Sequence, residues 1–414
     1  MIRQAVILCG GLGTRLGSLT AAVPKPLLKI EETPFLDILI DELGRHGFNE
    51  ILLLAGHLGE QIEDYARRSE AAKRRGVSLR VSIESAPAGT AGGLVYVAEY
   101  LHDEFVLLNG DSWFDINLRD LTQVAGILPD STITLALRSM PDAPRYGVVQ
   151  LVEHRVITFD ERARHAGPAC VNAGVYVCRR DPLMAIITEM YVDKSGKLSL
   201  ESEILPCLAE RDALTGKVFS GYFIDIGVPA SYQDAQTHIG RHRKRGAVFL
   251  DLDVITRSDH GVIDKVQLIS GAQEVIRFCN DSGLFVFGVK DSVGNTNGYC
   301  SEGNKKELYQ LLQCYLSKSG AHIDDILFFP MEKQLVPSED EILFGRAEEA
   351  VDILDDRTYR WDIDVATSFL VGKFENRFAD YLSGVRLHGF SGGSLLGCIR
   401  RCEPDFFDRT SAYD

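Results

Sequence analysis

QAVILCGGLGTRL, residues 4 to 16, decides the fold predicted for the first half of the chain. The apolar run Ala5–Cys9 is typical of a buried strand, and a loop with three glycines follows it directly. Glycine has no Cβ, so the backbone amides of Gly10, Gly11 and Gly13 can approach an anionic group closely. A glycine loop after a buried strand is typical of phosphate sites, but it occurs in several classes of protein.

Arg15 separates this loop from two better known phosphate loops. A dinucleotide-binding loop has its third glycine where Arg15 stands, and a Walker loop ends in Gly-Lys followed by Ser or Thr, which is missing here. A cation beside a phosphate loop suits a triphosphate whose pyrophosphate has to leave. Further on, Pro24 and Pro26 restrict the backbone on both sides of Lys25. A surface turn with a solvated lysine explains Lys25 alone equally well, whereas Lys25 and Arg15 together favour a phosphate site.

Strand-like and helix-like segments alternate after this loop. This alternation predicts a mostly parallel sheet covered by helices, with ligands at the carboxyl ends of the strands. Residues 131 to 225 are richer in strand-like pattern, as expected for an elaborated lobe added to such a sheet. The segments with strand-like pattern are Ile51–Gly56, Leu79–Ser85 and Phe105–Asp111, and those with helical spacing are Phe35–Leu43 and Gln61–Arg68.

The composition limits the classes of protein to which the chain can belong. It has 414 residues, of which 45% are hydrophobic, so two domains with ordinary cores are expected. The formal net charge of -15 argues against nucleic acid or an anionic membrane as a partner, because both are polyanions. The pattern predicts neither a signal peptide nor a membrane span, and the nine scattered cysteines are typical of free thiols in the cytoplasm.

Two acidic segments supply candidate metal ligands. Asp111 follows the apolar run of FVLLNGD, so the carboxyl end of a strand would place it among ligands, and Asp225 lies in the apolar segment FIDIGVP. Mg²⁺ typically uses one or two carboxylates together with phosphate oxygens and water. Each aspartate alone can also be an ordinary turn or helix-cap residue.

These motifs resemble those of the sugar nucleotidyltransferase family, which carries a Gly-Gly-x-Gly-Thr-Arg-Leu loop and a Pro-Lys-Pro segment. The resemblance runs from about Gln4 to Tyr232 and implies a Rossmann-like, GT-A-like α/β domain with a mixed sheet over residues 1–240. It implies that a nucleoside triphosphate and a sugar 1-phosphate are joined with release of pyrophosphate, and that Mg²⁺ is the cofactor. The residues to which it assigns roles are Arg15 at the triphosphate, Lys25 at the reacting phosphates, Asp111 and Asp225 at the metal, and Gly10, Gly11, Gly13 and Thr14 in the nucleotide loop.

The family uses the segment ESAPAGTAGG, residues 84 to 93, for the base. By resemblance Glu84, Gly89 and Thr90 contact the nucleotide, and the small residues after Gly89 let a flat base lie against the backbone. Members that use thymidine or uridine nucleotides often carry glutamine in place of Glu84. An ionised glutamate offers only acceptors, which suit the two donors on the Watson–Crick edge of guanine, so guanine is the predicted base. An exposed glutamate without a ligand is the alternative.

Four later motifs, YGVV, FDER, NAG and SLESE, are placed around the sugar by the resemblance. It assigns contacts with sugar hydroxyls to Gly147, Asn172 and Glu201, and positions near the sugar phosphate to Glu161 and Arg162. Many members have Glu-Lys-Pro where this chain has Glu-Arg-Ala, so the geometry at Arg162 differs. The motifs look most like those of heptose 1-phosphate guanylyltransferases. Mannose or glucose 1-phosphate enzymes are the alternative, and a non-catalytic nucleotide-sugar binding module ranks lower.

A second alternating series begins after the basic stretch RHRKR, residues 241 to 245, which is predicted to be a solvated linker. AVFLDLDVI, residues 247 to 255, resembles the first motif of the HAD phosphohydrolases, and residues 246–414 resemble a heptose bisphosphate phosphatase in outline. Asp251 and Asp253 occupy the positions of the nucleophile and the acid/base. The other expected positions hold residues unsuited to that chemistry, which are Lys290, Val336, Lys373 and Arg377.

The second domain is therefore predicted to be a smaller HAD-like α/β domain without phosphatase activity, because cations in place of magnesium ligands would repel the ion. A structural, dimerising or regulatory role is expected instead, and a homo-oligomer is left open. A bifunctional enzyme with an active phosphatase is the alternative, which the presence of Asp251 and Asp253 favours.

Overall fold

The structure of the chain is a computed structural model. It divides into two compact units, Met1–Ile239 and Gly240–Asp414, and each is described on its own. No helix among the described residues is long and apolar enough to cross a membrane. The residues that the structure describes are 1–142, 146–161, 167–193, 197–257, 266–291, 302–329, 363, 369–372 and 386–389.

A mixed β-sheet forms the centre of the first unit. The strands of this unit are β1 (Gln4–Cys9), β2 (Lys29–Ile30), β3 (Thr33–Pro34), β4 (Glu50–Ala55), β5 (Ser78–Ile83), β6 (Glu104–Asn109), β7 (Ser112–Phe114), β8 (Ile133–Met140), β9 (Val148–Val152), β10 (Arg155–Asp160), β11 (Ala169–Arg179), β12 (Leu214–Phe219) and β13 (Phe223–Asp225). The main sheet has nine strands in the order β5-β4-β1-β6-β11-β8-β12-β10-β9. β2 pairs with β3 and β7 pairs with β13 in two small ribbons.

Helices pack against both faces of the main sheet. The α-helices are α1 (Phe35–Arg45), α2 (Gly59–Arg68), α3 (Glu70–Arg75), α4 (Gly89–Gly92), α5 (Leu118–Ile127), α6 (Arg180–Asp193), α7 (Leu205–Glu210) and α8 (Pro229–Arg243). Short 3-10 segments span Thr14–Thr20, Lys25–Leu27 and Gly93–Tyr100, and one π-helical turn spans Leu200–Ile204.

The packing of β1 explains why its sequence is continuously apolar. It lies between β4 and β6 and runs parallel to both, with Val6 opposite Leu52 and Leu107. Alternate side chains enter different cores, since Ile7 packs with Phe35 of α1 while Val6 packs on the opposite face of the sheet. Because both faces are covered, an apolar residue is favourable at each of these positions. The glycine loop then leaves the sheet at its carboxyl edge.

The sequence patterns locate the first strands and helices to within two residues of their ends. The mixed sheet that the family resemblance implies is confirmed, whereas the mostly parallel sheet predicted from the alternation is less accurate, because β11 runs antiparallel to β6 and β8. The linker predicted for residues 241–245 is wrong for its first three positions, since α8 continues to Arg243. Basic side chains in a last helical turn interact favourably with the negative end of the helix dipole.

Within the described residues of the second unit, five strands form a parallel sheet. The strands of this unit are β14 (Ala247–Asp251), β15 (Thr256–Arg257), β16 (Gln267–Leu268), β17 (Phe285–Asp291), β18 (Asp325–Phe329), β19 (Phe369–Gly372) and β20 (Arg386–Gly389), and its α-helices are α9 (Leu252–Ile255), α10 (Ala272–Asp281) and α11 (Glu302–Leu316). The parallel sheet has the order β18-β17-β14-β19-β20, and β15 pairs with β16 in a ribbon.

The acidic motif of the second unit lies at the carboxyl end of its central strand. Asp251 ends β14 and is 6% exposed, and its carboxylate accepts a hydrogen bond from the Asp253 N–H at 2.9 Å. Lys290 lies near the end of the neighbouring strand β17, and its ammonium group pairs with the Asp253 carboxylate. The other positions compared with the phosphatases lie outside the described residues, and they are Val336, Lys373 and Arg377.

Candidate active site

Two short strands bring the two predicted metal ligands together. β7 pairs antiparallel with β13, so Ser112 lies opposite Asp225. The Ile226 N–H donates to the carbonyl oxygen of Asp111 at 2.8 Å, which extends the pairing by one step. Asp111 and Asp225, which are far apart in the sequence, therefore line the same cleft.

Lys25 lies beside the first of these aspartates. Its ammonium group forms an ion pair with the Asp111 carboxylate, and its side chain is only 9% exposed. Pro24 is extended and Lys25 begins the 3-10 turn that follows. The backbone is thus restricted before and after Lys25, as the two prolines predict. The solvated-lysine alternative does not describe this side chain.

The two cations and Asp225 meet around Gly227. A methyl group on Gly227 would lie 2.7 Å from Asp225 Oδ1, 3.2 Å from Lys25 Nζ and 3.5 Å from Arg15 Nη2. The Gly227 N–H also donates to Asp225 Oδ1 at 2.9 Å. One point in the molecule is therefore close to a carboxylate and to both predicted cations. Gly227 belongs to the segment FIDIGVP, in which only Asp225 was predicted to have a role.

Tyr146 is a second residue without an assigned role in the sequence analysis. Its hydroxyl donates a hydrogen bond to Asp225 Oδ2, and its ring contacts Phe223 edge-on with 5.6 Å between the ring centroids. The hydroxyl and the Gly227 N–H therefore engage the two different oxygens of the Asp225 carboxylate. Tyr146 directly precedes Gly147, which was predicted to contact the sugar, and this position in the sequence could have identified it as a site residue.

Two adjoining clefts contain the predicted residues that the structure describes. The larger has a volume of about 470 Å³ and the smaller about 280 Å³, and they share Gly11, Arg15 and Asp111. Arg162 lies outside the described residues. The predicted residues that line the larger cleft are Gly10, Gly11, Arg15, Glu84, Gly89, Thr90, Asp111, Gly147, Glu161, Asn172, Glu201 and Asp225, and those that line the smaller are Gly11, Gly13, Thr14, Arg15, Lys25 and Asp111.

Glu84 lines the larger cleft, and neighbouring backbone groups restrict its carboxylate. Its Oε2 accepts a hydrogen bond from the Ala88 N–H at 2.7 Å. Its Oε1 packs so closely on Gly10 that a side chain there would collide with it, and it also lies close to Gly56. The carboxylate is therefore held in contact with the glycine loop. It is half-buried, so the alternative of a freely exposed glutamate is wrong.

Gly89 is required by the backbone that packs against it. Its φ is +82°, in the region that favours glycine, and a Cβ there would collide with the Leu198 carbonyl oxygen. That oxygen accepts hydrogen bonds from the N–H groups of Ala91 and Gly92 at 3.0 and 3.2 Å, and the Leu198 N–H donates to Ala88 at 2.8 Å. Contact with this second chain segment is sufficient to explain the missing side chain, and Gly89 also lines the larger cleft, where a base is expected.

The carboxyl groups of Glu161 and Glu201 both line the larger cleft and interact electrostatically. Burial, together with the nearby carboxylates of Glu201 and Asp160, raises the pKa of Glu161 to about 7. Gly147 lies so close to Glu161 Oε2 that a side chain at position 147 would collide with it. Glu161 therefore changes charge near neutral pH, which makes this part of the cleft sensitive to pH.

Asn172 lines the cleft at a bulge in β11, where the register against β8 shifts. Its Oδ1 accepts from the Gly174 N–H at 3.1 Å, and its Nδ2 donates to the Tyr176 hydroxyl at 2.8 Å. Both ends of the amide are therefore engaged within the protein. The side chain stabilises the bulge, and the further hydrogen-bonding capacity of the amide is what a ligand would use.

A family model described as nucleotidyl transferase matches residues 4–242, which are more than half of the chain. The chain belongs to the nucleotidyl transferase family. The match coincides with the first unit, in which the glycine loop, the two cations and the two aspartates surround one pair of clefts.

Individual relatives also match this unit. The D-glycero-alpha-D-manno-heptose 1-phosphate guanylyltransferase of Campylobacter jejuni is 36% identical over 230 residues, which are 55% of this chain and 96% of that protein. The protein of the same name from Aneurinibacillus thermoaerophilus is 34% identical over 237 residues, which are 57% and 98% of the two chains. A crystal structure of HddC from Yersinia pseudotuberculosis has a TM-score of 0.50 and 28% identity, over 57% of this chain and 100% of that one. The relatives support an enzyme of the sugar-phosphate nucleotidyltransferase type.

Proposed function

We propose that residues 1–240 transfer a nucleotidyl group, with GTP as the preferred donor, to a sugar 1-phosphate, with heptose 1-phosphate preferred. The products are a nucleoside diphosphate sugar and pyrophosphate. The observation that carries the proposal is that two cations and two carboxylates meet at one end of a cleft, and they belong to Arg15, Lys25, Asp111 and Asp225. The names of two relatives support the choice of base and sugar.

The proposed reaction depends on neutralising charge rather than on moving protons. An anionic phosphate oxygen of the sugar 1-phosphate attacks the α-phosphorus of the triphosphate. The bond from this phosphorus to the oxygen that bridges to the β-phosphate breaks, and its electron pair leaves with pyrophosphate. A sugar phosphate is already ionised near neutral pH, so no protein base has to remove a proton. Arg15 and Lys25 stabilise the charge that accumulates on the leaving group.

Lys25 is suited to this role because it is held in place before any phosphate arrives. The ion pair with Asp111 and the low exposure of its side chain restrict the positions that the ammonium group can take. A cation that is already oriented loses little entropy and needs little solvent reorganisation as the transition state forms. Removal of the charge should therefore affect turnover more than binding.

Magnesium is the proposed cofactor, held by Asp111 and Asp225. The donors fit it, because two carboxylates line one cleft that is large enough to admit phosphates. No group of three or more His, Cys, Asp or Glu side chains that could hold a metal alone occurs among the described residues. Phosphate oxygens and water would complete the shell, which is the usual arrangement for Mg²⁺. When bound, the ion supplies electrostatic stabilisation to the phosphate oxygens.

Glu84 is the residue proposed to recognise the base. Its hydrogen bond from the Ala88 N–H holds the carboxylate in the cleft before a ligand binds. A carboxylate can accept from both donors on the Watson–Crick edge of guanine, whereas a uracil or thymine edge offers one donor between two acceptors. The expected preference for GTP should therefore weaken in Glu84→Gln, which adds a donor at this position.

The second unit is proposed to be a HAD-like domain without phosphatase activity. Its parallel sheet places Asp251 at the end of the central strand, where a nucleophile would be expected. Lys290 pairs with Asp253, so a cation occupies part of the acidic motif. Phosphate release from heptose 1,7-bisphosphate by the full chain, lost in Asp251→Asn, would instead establish a bifunctional enzyme.

The direct test of the transferase proposal is pyrophosphate release across a grid of four nucleoside triphosphates and several sugar 1-phosphates. The expected result is turnover that depends on Mg²⁺ and is fastest with GTP and heptose 1-phosphate. Asp111→Asn should reduce turnover by at least about 100-fold, since it removes a carboxylate next to the reacting phosphates. Asp130→Asn, at an exposed aspartate outside the cleft, is the matched control. Fastest turnover with UTP or dTTP would overturn the choice of guanine.

A further inference from the structure

Thr90 links two chain segments that line the larger cleft. It belongs to α4, which lies within residues 84 to 93, the segment expected to contact the base. Its hydroxyl donates a hydrogen bond of 2.6 Å to Glu201 Oε2, and Glu201 is expected to contact the sugar. Both residues line the cleft. The contact therefore joins two segments of the site that are far apart in the sequence.

The Thr90 hydroxyl can donate only one hydrogen bond, and its surroundings direct this bond to Glu201. Thr90 Oγ1 accepts a hydrogen bond from the Leu200 N–H at 2.8 Å, so its single proton is left to donate to Glu201. Ser199 repeats this arrangement with a longer bond, because its Oγ accepts from the Ser202 N–H at 3.1 Å and donates to Glu201 Oε2 at 3.2 Å. Two oriented hydroxyls therefore act on the same carboxylate oxygen.

The other oxygen of Glu201 is left for a ligand. Among the described residues, none donates a hydrogen bond to Glu201 Oε1. The carboxylate lies on the π-helical turn Leu200–Ile204, a conformation that often occurs at functional sites. One oxygen thus sets the orientation of the group, and the second can accept from a hydroxyl of a bound sugar.

The support beneath Thr90 is rigid. The carbonyl oxygen of Leu198 accepts from the N–H groups of Ala91 and Gly92, and the Leu198 N–H donates to Ala88. Leu198 and Leu200 are both buried, with 1% and 0% exposure. Movement of α4 would therefore carry the Thr90 hydroxyl with it and change the orientation of the Glu201 carboxylate.

We propose that Thr90 is a positioning residue for Glu201. Through this contact, binding of the sugar 1-phosphate depends on residues 84 to 93, the segment expected to contact the base. This proposal rests on the proposed function. It goes beyond the sequence-based expectation, in which Thr90 contacts the nucleotide, because the single hydroxyl proton of Thr90 is donated to Glu201.

The test is a set of kinetic constants for Thr90→Val and Thr90→Ser. Valine keeps the branched shape and removes the hydroxyl, so the KM for sugar 1-phosphate should rise about tenfold, as expected for a lost hydrogen bond to a charged group. The dissociation constant of GTP without sugar should change less than about twofold, because no nucleotide contact is removed. Thr90→Ser should restore the KM to near the wild-type value. Thr237→Val, at an exposed threonine of α8, is the matched control.

A double-mutant cycle with Glu201→Gln separates positioning from a general structural effect. If Thr90 acts through Glu201, the Thr90→Val change should add less than about twofold to the KM of the Glu201→Gln variant. Independent, multiplying effects would overturn the proposal, as would a Thr90→Val variant that weakens GTP binding and leaves the KM for sugar unchanged. Unimpaired GTP binding also shows that each variant is folded. A wild-type chain inactive on every substrate pair would refute the proposed function, whereas an active wild type with unaffected Thr90→Val refutes this inference alone.

Discussion

A single methyl group at Gly227 should impair turnover without unfolding the protein. Its φ lies outside the left-handed region, so Gly227→Ala introduces no backbone strain of that kind. The new Cβ would lie 2.7 Å from Asp225 Oδ1 and 3.2 Å from Lys25 Nζ. The substitution therefore displaces Asp225 and Lys25, which are both proposed to act at the reacting phosphates.

The size of the effect follows from these distances. A carbon and an oxygen in contact prefer a separation of about 3.3 Å or more, so the Asp225 carboxylate has to retreat by roughly 0.6 Å. The hydrogen bond of 2.9 Å from the Gly227 N–H to Asp225 would then lengthen to about 3.5 Å and be largely lost. Displacement of a reacting group by about 1 Å can cost 100-fold in rate, so kcat should fall by roughly 10- to 100-fold.

The assay is steady-state pyrophosphate release together with the melting temperature of each variant. Gly126→Ala is the matched control, because Gly126 is exposed on α5 and a methyl group there meets no atom within 4 Å. It should leave kcat unchanged and stabilise the helix by up to about 1 kcal/mol. A Gly227→Ala variant with a kcat within about twofold of wild type would refute the placement of Asp225 and Lys25 at the reacting phosphates.

Three further substitutions test individual groups. Lys25→Met should lower kcat by about 100-fold or more, because it removes a preorganised cation and leaves Asp111 unpaired; a change confined to KM would contradict this. Tyr146→Phe keeps the ring and loses the hydrogen bond to Asp225, so kcat should fall by about tenfold in the same pyrophosphate assay, and an unchanged kcat would mean that the hydroxyl has no catalytic effect. Glu161 is protonated below and ionised above a pKa of about 7, so the KM for sugar 1-phosphate should rise as the pH increases through that value. Glu161→Gln should abolish this rise, and an identical pH profile in wild type and variant would exclude Glu161 as its cause.

Much of the fold could be predicted from local patterns. The run Ala5–Cys9 is apolar because both faces of β1 are covered, and the same reasoning locates β4 and β6. The antiparallel insertion of β11 between β6 and β8 could not be predicted, because strand direction depends on how distant segments pair. The continuation of α8 into the basic stretch, as far as Arg243, was missed because charge is a weak indicator of where a helix ends.

The residues of the candidate site could also be predicted only in part from the sequence. Arg15 and Lys25 were recognisable because each stands in a short motif whose glycines or prolines have direct conformational consequences. Tyr146 and Gly227 were missed because their importance lies in contacts with Asp225, which no local pattern encodes. Gly89 was expected at the base, but the close approach of Leu198, which also excludes a side chain at this position, was not predicted.

The sequence by itself determined which chemical groups are available and which short segments hold them: a glycine loop after a buried strand, a lysine between prolines, and aspartates after apolar runs. Only the tertiary structure decided which of these groups meet. Pairing of β7 with β13 places Asp111 beside Asp225, and the packing of Leu198 on α4 brings the Thr90 hydroxyl to Glu201. Local conformation follows from the residues nearby, whereas contacts between distant segments depend on the packing of the whole unit.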